Sequence, residues 1–141
     1  MIVKGAYMAG TFIYLRIEGD ELDFQDLEKQ LKTRPTWVHK KGERFEDKRF
    51  HETVVYEKDC WMYEMEAEEG MTIGVLLDRF LNVLEADCAA LRDLSAYYDI
   101  KFYVSAYPDS RHYSIDFSEA QLQKISSYHI PLIYTTLYLG E

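Results

Sequence analysis

Residues 72–99 hold the largest apolar helical surface in the chain, and any fold must find a partner for it. Ile73, Leu77, Phe80, Leu84, Cys88, Leu91 and Ser95 recur at steps of four, three, four, four, three and four, which keeps one side of a 3.6-residue period apolar up to its last member. Leu76, Leu81, Val83 and Leu94 widen that side. Thr72 stands as its N-cap, and Ala86-Asp87 offers a place to break the stretch into two helices, with Asp87 as a second N-cap. A surface of this size needs a sheet to close against. At 141 residues the chain is long enough to bury one such core without staples, so a single domain over residues 1–141 is expected.

The remaining chain supplies the strands. Residues 11–18 alternate, with Ile13, Leu15 and Ile17 on one face and Phe12, Tyr14, Arg16 and Glu18 on the other. Residues 61–68 alternate again, with Trp61, Tyr63, Met65 and Ala67 inward and Met62, Glu64, Glu66 and Glu68 outward. Residues 100–106 carry Ile100, Phe102, Val104 and Ala106 on one side; residues 107–111 read as a hairpin connection and 112–117 as its return strand, with Tyr113, Ile115 and Phe117 inward. Residues 36–39 form a short strand, 40–43 a Lys-Lys-Gly-Glu turn, and 132–139 a closing strand. Between residues 44 and 60 charges are dense and only 53–56 have strand character, which predicts a loop with a short edge strand.

Two shorter helices share a grammar. Leu22-Asp23 with Asp26-Leu27, and Phe117-Ser118 with Gln121-Leu122, both read as staple, N-cap, capping-box partner and staple. The first runs to about residue 32 over Phe24, Leu27 and Leu31, the second to about residue 128 over Leu122 and Ile125, and Pro35 or Pro131 then opens a strand. The pattern fits two related strand–helix–strand halves, and it also fits two helices that converged on a common cap. Strands that alternate rather than run continuously apolar predict an α+β fold: a mainly antiparallel, ferredoxin-like sheet with helices on one face.

Composition narrows the function classes. Hydrophobic residues at 48%, with 12 Tyr and 7 Phe, fit packed strands and exclude a disordered chain. A net charge of -9 disfavours a nucleic-acid binder, since counterion release needs a broad Lys/Arg surface, and suits a basic protein partner or none. No run approaches the roughly 18 to 20 apolar residues of a membrane helix, and Met1-Ile2-Val3-Lys4-Gly5 lacks a secretory leader pattern. Cys60 and Cys88 form no CxxC pair, so reduced thiols in a cytoplasmic protein are expected, with Cys88 buried on the apolar side of the long helix and the chain a monomer or homodimer.

The clearest anomaly is electrostatic. Residues 32–49 hold seven of the 16 basic residues (Lys32, Arg34, Lys40, Lys41, Arg44, Lys48 and Arg49) against Glu43, Glu46 and Asp47, a local +4; the remainder, with 9 basic and 22 acidic residues, carries -13. Trp37 and His39 lie within this stretch and Trp61 follows it, so Trp37, His39, Lys40, Lys41, Arg44 and Trp61 form a candidate anion or nucleotide site. The stretch also reads as a solvated loop paired with its own carboxylates. Glu64, Glu66 and Glu68 make an outward row with neighbours about 7 Å apart, which suits a basic partner and equally describes the solvent face of a half-buried strand. His39, His51, His112 and His129 share no metal-ligand spacing, and GxSxG and glycine-rich phosphate loops are absent, so no metal, cofactor or catalytic residue is expected. Tyr97, Tyr98, Tyr103, Tyr107 and Tyr138 are numerous enough to line a groove.

Several of these residues together resemble a known family. Pro35-Thr36-Trp37-Val38-His39-Lys40-Lys41-Gly42-Glu43, the downstream Trp61, the long helix with its break at Ala86-Asp87, and the closing order of strand, hairpin, Ser118-capped helix and final strand ending Leu137-Tyr138 are similar to the uncharacterised bacterial family termed domain of unknown function 4279. The resemblance spans nearly the whole chain and implies a compact bacterial α+β domain, usually a stand-alone protein. It brings no catalytic residues with it. Three functions stand as expectations: a non-catalytic protein-interaction domain, regulatory or immunity-type, using the acidic surface; a small anion or nucleotide sensor near Trp37, Lys40, Lys41 and Trp61; and an enzyme with a dispersed site. The first is favoured, since no local motif supports the third.

Overall fold

Among the described residues β1 (Thr11–Gly19) runs through the middle of a five-stranded sheet, with Ile13, Leu15 and Ile17 fully buried on one of its faces. It pairs antiparallel with β5 (Asp59–Glu66) on one side and with β6 (Asp99–Ala106) on the other. β2 (Trp37–His39) lies antiparallel along the outer side of β5, and β7 (Leu132–Thr136) lies parallel to β6 at the opposite edge. The computed structural model describes residues 10–47, 51–106 and 115–136. The four strands β6-β1-β5-β2 stand in the ferredoxin-like order with every neighbour antiparallel, and β7 extends that sheet by one strand.

All helices contribute to the core on one face. α1 (Phe24–Gln30) is capped by Asp23, whose carboxylate accepts from the Asp26 N–H at 3.0 Å, and Leu22 and Leu27 are buried as its staple. It ends at Gln30, two residues earlier than expected, because Leu31 already has extended backbone. α2 (Ile73–Leu84) starts at Thr72, whose hydroxyl accepts from Val75, and buries Ile73, Leu76, Leu77, Phe80, Leu81 and Leu84; Val83 is exposed. A 3₁₀ turn over Glu85–Asp87 breaks the stretch at the expected place, and α3 (Cys88–Leu94) follows. Trp61 sits in this core at 2% exposure, and the rings of Tyr63, Phe80, Phe102 and Tyr128 stack or meet edge to face at centroid distances from 5.3 to 6.0 Å.

Asp87 corrects the sequence reading. It makes no side-chain cap for α3; its carboxylate is 1% exposed and accepts from the Lys32 N–H (2.8 Å), the Thr33 N–H (3.0 Å) and the Thr33 hydroxyl (2.6 Å). The break in the long helix thus ties down the chain leaving α1. Cys88 is only half-buried, with its sulfur 3.8 Å from the Ser127 carbonyl oxygen, and it is Cys60 that is buried; both are free thiols.

α4 (Glu119–Ser126) carries a complete capping box between Ser118 and Gln121, but its buried side differs from the expected one. Leu122 is 51% exposed and Gln121 only 7%, because the Gln121 amide also donates to the Gly74 carbonyl and to the Asp78 carboxylate, each at 2.9 Å. One side chain therefore caps α4 and fastens it to α2, which turns Gln121, Ile125 and Tyr128 inward. The helices with the shared grammar both lie in strand–helix–strand units, yet β1–α1–β2 straddles β5 while β6–α4–β7 joins neighbours. Ile115 and Phe117 pack against the core without strand structure; the expected positions 107–114 and 137–141 lie outside the described residues.

The segment expected as a loop with a short edge strand over 53–56 is a two-stranded arm, in which that strand has a partner. β3 (Arg44–Asp47) and β4 (Glu52–Val55) pair antiparallel as a separate sheet, Arg44 opposite Val55 and Asp47 opposite Glu52. Dense charge hid this pairing from the sequence, since backbone hydrogen bonds need no apolar alternation where both faces of an arm are largely open. Among the described residues no helix is long and apolar enough to cross a membrane.

Candidate functional site

The face of the sheet opposite the helices carries the outward half of every alternation. Register places Tyr14 beside Glu64 on β5 and Tyr103 on β6, Phe12 beside Glu66 and Ser105, and Trp37 beside Met62. Three alternating strands thereby line up aromatic and carboxylate side chains across the sheet. The β3–β4 arm then approaches this face, and its root is fixed by backbone bonds: the Gly42 N–H to the Tyr56 carbonyl (2.7 Å), the Tyr56 N–H to the Glu43 carbonyl (3.0 Å) and the Glu43 N–H to the Lys40 carbonyl (3.0 Å). Gly42 has φ +91, a conformation that favours glycine, so the Lys-Gly-Glu turn aims the arm.

Asp59 holds the same root. Its carboxylate accepts from the Lys41 N–H at 2.9 Å and the Leu22 N–H at 3.0 Å, and these backbone donors draw its pKa below the usual carboxylate range. Beneath the arm, burial pushes the Cys60 thiol up to about 11 and raises the Tyr56 phenol as well.

Arm and sheet together enclose a cleft of about 680 Å³. Its aromatic walls come from Phe12, Tyr14, Trp37, His39, Phe45 and Tyr56, and its acids from Glu46, Asp47, Glu64 and Glu66. His39 stacks with Tyr56 (centroids 4.2 Å apart, 10° between planes) and with Trp37 (5.9 Å, 24°), and its Nδ1 lies 3.5 Å from Glu43. The Trp37 indole N–H donates to Glu64 at 3.0 Å, which sets ring and carboxylate side by side. Among the described residues no lysine or arginine lines the cleft. Such a lining attracts cations, since ring faces and carboxylates both favour positive charge.

The expected site residues separate in space. Trp37, His39, Glu64 and Glu66 meet in the cleft, although sequence reasoning placed them in two different sites. Trp61 faces the core on the other side of the sheet. The Lys40 ammonium lies over the Phe24 ring of α1 at 5.8 Å, Lys41 contributes its backbone to Asp59, and Arg44 is exposed on the arm away from the lining. Lys48 and Arg49 lie outside the described residues. Glu68 is 3.5 Å from Arg79 of α2 and does not join Glu64 and Glu66. Of the expected tyrosine groove, Tyr97 is exposed, Tyr98 packs near Gly19, and Tyr103 stacks on Tyr14 at 4.8 Å; Tyr107 and Tyr138 lie outside the described residues. Phe12, Tyr14, Phe45, Tyr56, Glu46 and Asp47 were missed as site residues. The alternation of β1 and β5 already put Phe12 and Tyr14 on the face of Glu64 and Glu66, and strand character over 53–56 marked one strand of the arm, whereas nothing local announced its pairing with residues 44–47.

No three His, Cys, Asp or Glu side chains stand together as a metal-binding set among the described residues. A family model, Domain of unknown function (DUF4279), matches residues 9–138. No curated protein and no solved structure matches the chain.

Proposed function

The chain belongs to the family described as Domain of unknown function (DUF4279), and from the chemistry of its cleft we propose that it is a non-catalytic binding module for a basic segment of a partner protein. The observation that carries this reading is the pairing of aromatic walls with Glu46, Asp47, Glu64 and Glu66 in one cleft on the helix-free face. The net charge of -9 supplies a long-range field that would speed the approach of a basic partner. An anion or nucleotide site at the basic turn draws no support from the geometry, because Lys40, Lys41, Arg44 and Trp61 do not converge.

Calorimetric titration with a basic polypeptide of mixed lysine and arginine content tests the reading. We expect association that weakens as salt rises, and that falls about tenfold or more when Glu64→Gln and Glu66→Gln are combined. Association that is absent, or indifferent to those two substitutions, overturns it.

A further inference from the structure

Resting on the reading that this face holds a basic partner, we propose that the cleft discriminates among cations: it takes the guanidinium of a partner's arginine against its aromatic walls, with Glu64 and Glu66 as carboxylate partners, in preference to lysine. The same sheet face already shows how it treats a guanidinium. Arg16 lies over the Tyr103 ring with Cζ 4.4 Å from the centroid, donates through Nη2 to the Tyr103 hydroxyl, and places Nε 3.5 Å from the Glu18 carboxylate. Tyr103 in turn stacks on Tyr14, which belongs to the cleft wall.

The ingredients recur inside the cleft. Tyr14 stands opposite Glu64 and Phe12 opposite Glu66, so each carboxylate has a ring beside it across the β1–β5 pairing, and Phe45 brings a further ring from the arm. What Arg16 supplies at one end of the face, a partner supplies at the other.

Guanidinium and ammonium differ in what they gain from such walls. A lysine ammonium is a compact, strongly hydrated charge that profits from the carboxylates and little from ring faces. A guanidinium is planar and more weakly hydrated, stacks on aromatic faces, and presents paired donors to a carboxylate in the same pose. A cleft of about 680 Å³ that is open on one side takes a short stretch of chain around that side chain, beyond a lone ion.

The test uses the whole chain and two short peptides that are identical except that every arginine of one is lysine in the other. Binding is read by calorimetry and by the emission of Trp37, which lines the cleft while Trp61 is buried on the opposite face. The arginine peptide is expected to bind about tenfold tighter. Glu64→Gln with Glu66→Gln should remove most of that binding and the preference with it; glutamine keeps an acceptor for the Trp37 indole, and a thermal melt checks the fold. The charge-matched pair Glu21→Gln with Glu119→Gln, at exposed positions away from the cleft, should leave both unchanged. Phe45→Ala, on the arm and outside the core, should weaken the arginine peptide more than the lysine peptide. Equal affinities for the two peptides, both lost on changing Glu64 and Glu66, overturn the arginine preference and leave the basic-partner reading standing. Binding of neither peptide, or binding that ignores Glu64 and Glu66, overturns both.

Discussion

The two faces of the central sheet are made by the same strands and end in opposite states. On one face Ile13, Leu15, Ile17, Trp61, Ile100, Phe102 and Val104 disappear beneath the helices into a continuous apolar core. On the other, Phe12, Tyr14, Trp37, Met62, Glu64 and Glu66 remain accessible in a cleft that the β3–β4 arm borders without filling. Alternation sorts residues onto faces, but it does not decide what covers them. A core face is closed by apolar area, at about 25 cal/mol per Å² removed from water. A face mixing rings with carboxylates resists such closure, since burying a carboxylate costs free energy unless a partner compensates it.

The two tryptophans put that contrast to its strongest test. Trp61→Ala opens a cavity in the core and should cost about 3 to 5 kcal/mol, seen as a large fall in the urea midpoint. Trp37, at 44% exposure on the open face, should cost about 1 kcal/mol or less on the same change. Similar midpoint shifts for the two variants would erase the difference between the faces.

Alkali sharpens the comparison at the arm. Burial holds the Cys60 thiol at about 11, above its ordinary 9.0, and raises Tyr56 in the same direction. The folded chain therefore keeps these protons more tightly than the unfolded chain. The Cys60 part of that contribution is intact below about pH 9 and falls by about 2 kcal/mol as pH rises toward about 11, and the Tyr56 part is lost above its ordinary 10.0. Urea midpoints measured across this range should fall, and Cys60→Ala should flatten part of the fall. A slope unchanged by that substitution would mean that the arm leaves Cys60 wet.

The smallest effects distinguish neighbours within the helix layer. Gln121→Ala should cost about 1 to 2 kcal/mol, because Ser118, Gly74 and Asp78 each lose a partner. Leu122→Ala should change stability by about 0.5 kcal/mol or less at its exposed position. Thermal or urea unfolding of the two variants measures both, and the reverse ranking would show that apolar content, rather than hydrogen bonding, fixes the orientation of α4.

By itself the sequence determined the parts whose signals are local. The alternations at Ile13, Leu15 and Ile17 and at Trp61, Tyr63 and Met65, the caps at Asp23, Thr72 and Ser118, and the break at Ala86-Asp87 are each set by neighbours within about one helical turn or one strand, so the α+β class was legible from them. Four of the ten aromatic and acidic residues of the candidate cleft were legible too, as Trp37 and His39 in one stretch and Glu64 and Glu66 in another. Only the tertiary structure decided that these two stretches meet, that Trp61 and Lys40 do not join them, and that Phe45 and Tyr56 do. It also decided that Asp87 serves the chain leaving α1 and that Gln121 displaces Leu122 from the buried side. The physical reason is common to all of these. Hydrogen-bond partners 27 to 55 residues apart, such as Glu64 for Trp37 and Asp87 for Lys32, and ring partners such as Tyr56 for His39 are chosen by strand register and helix docking, which no local period encodes.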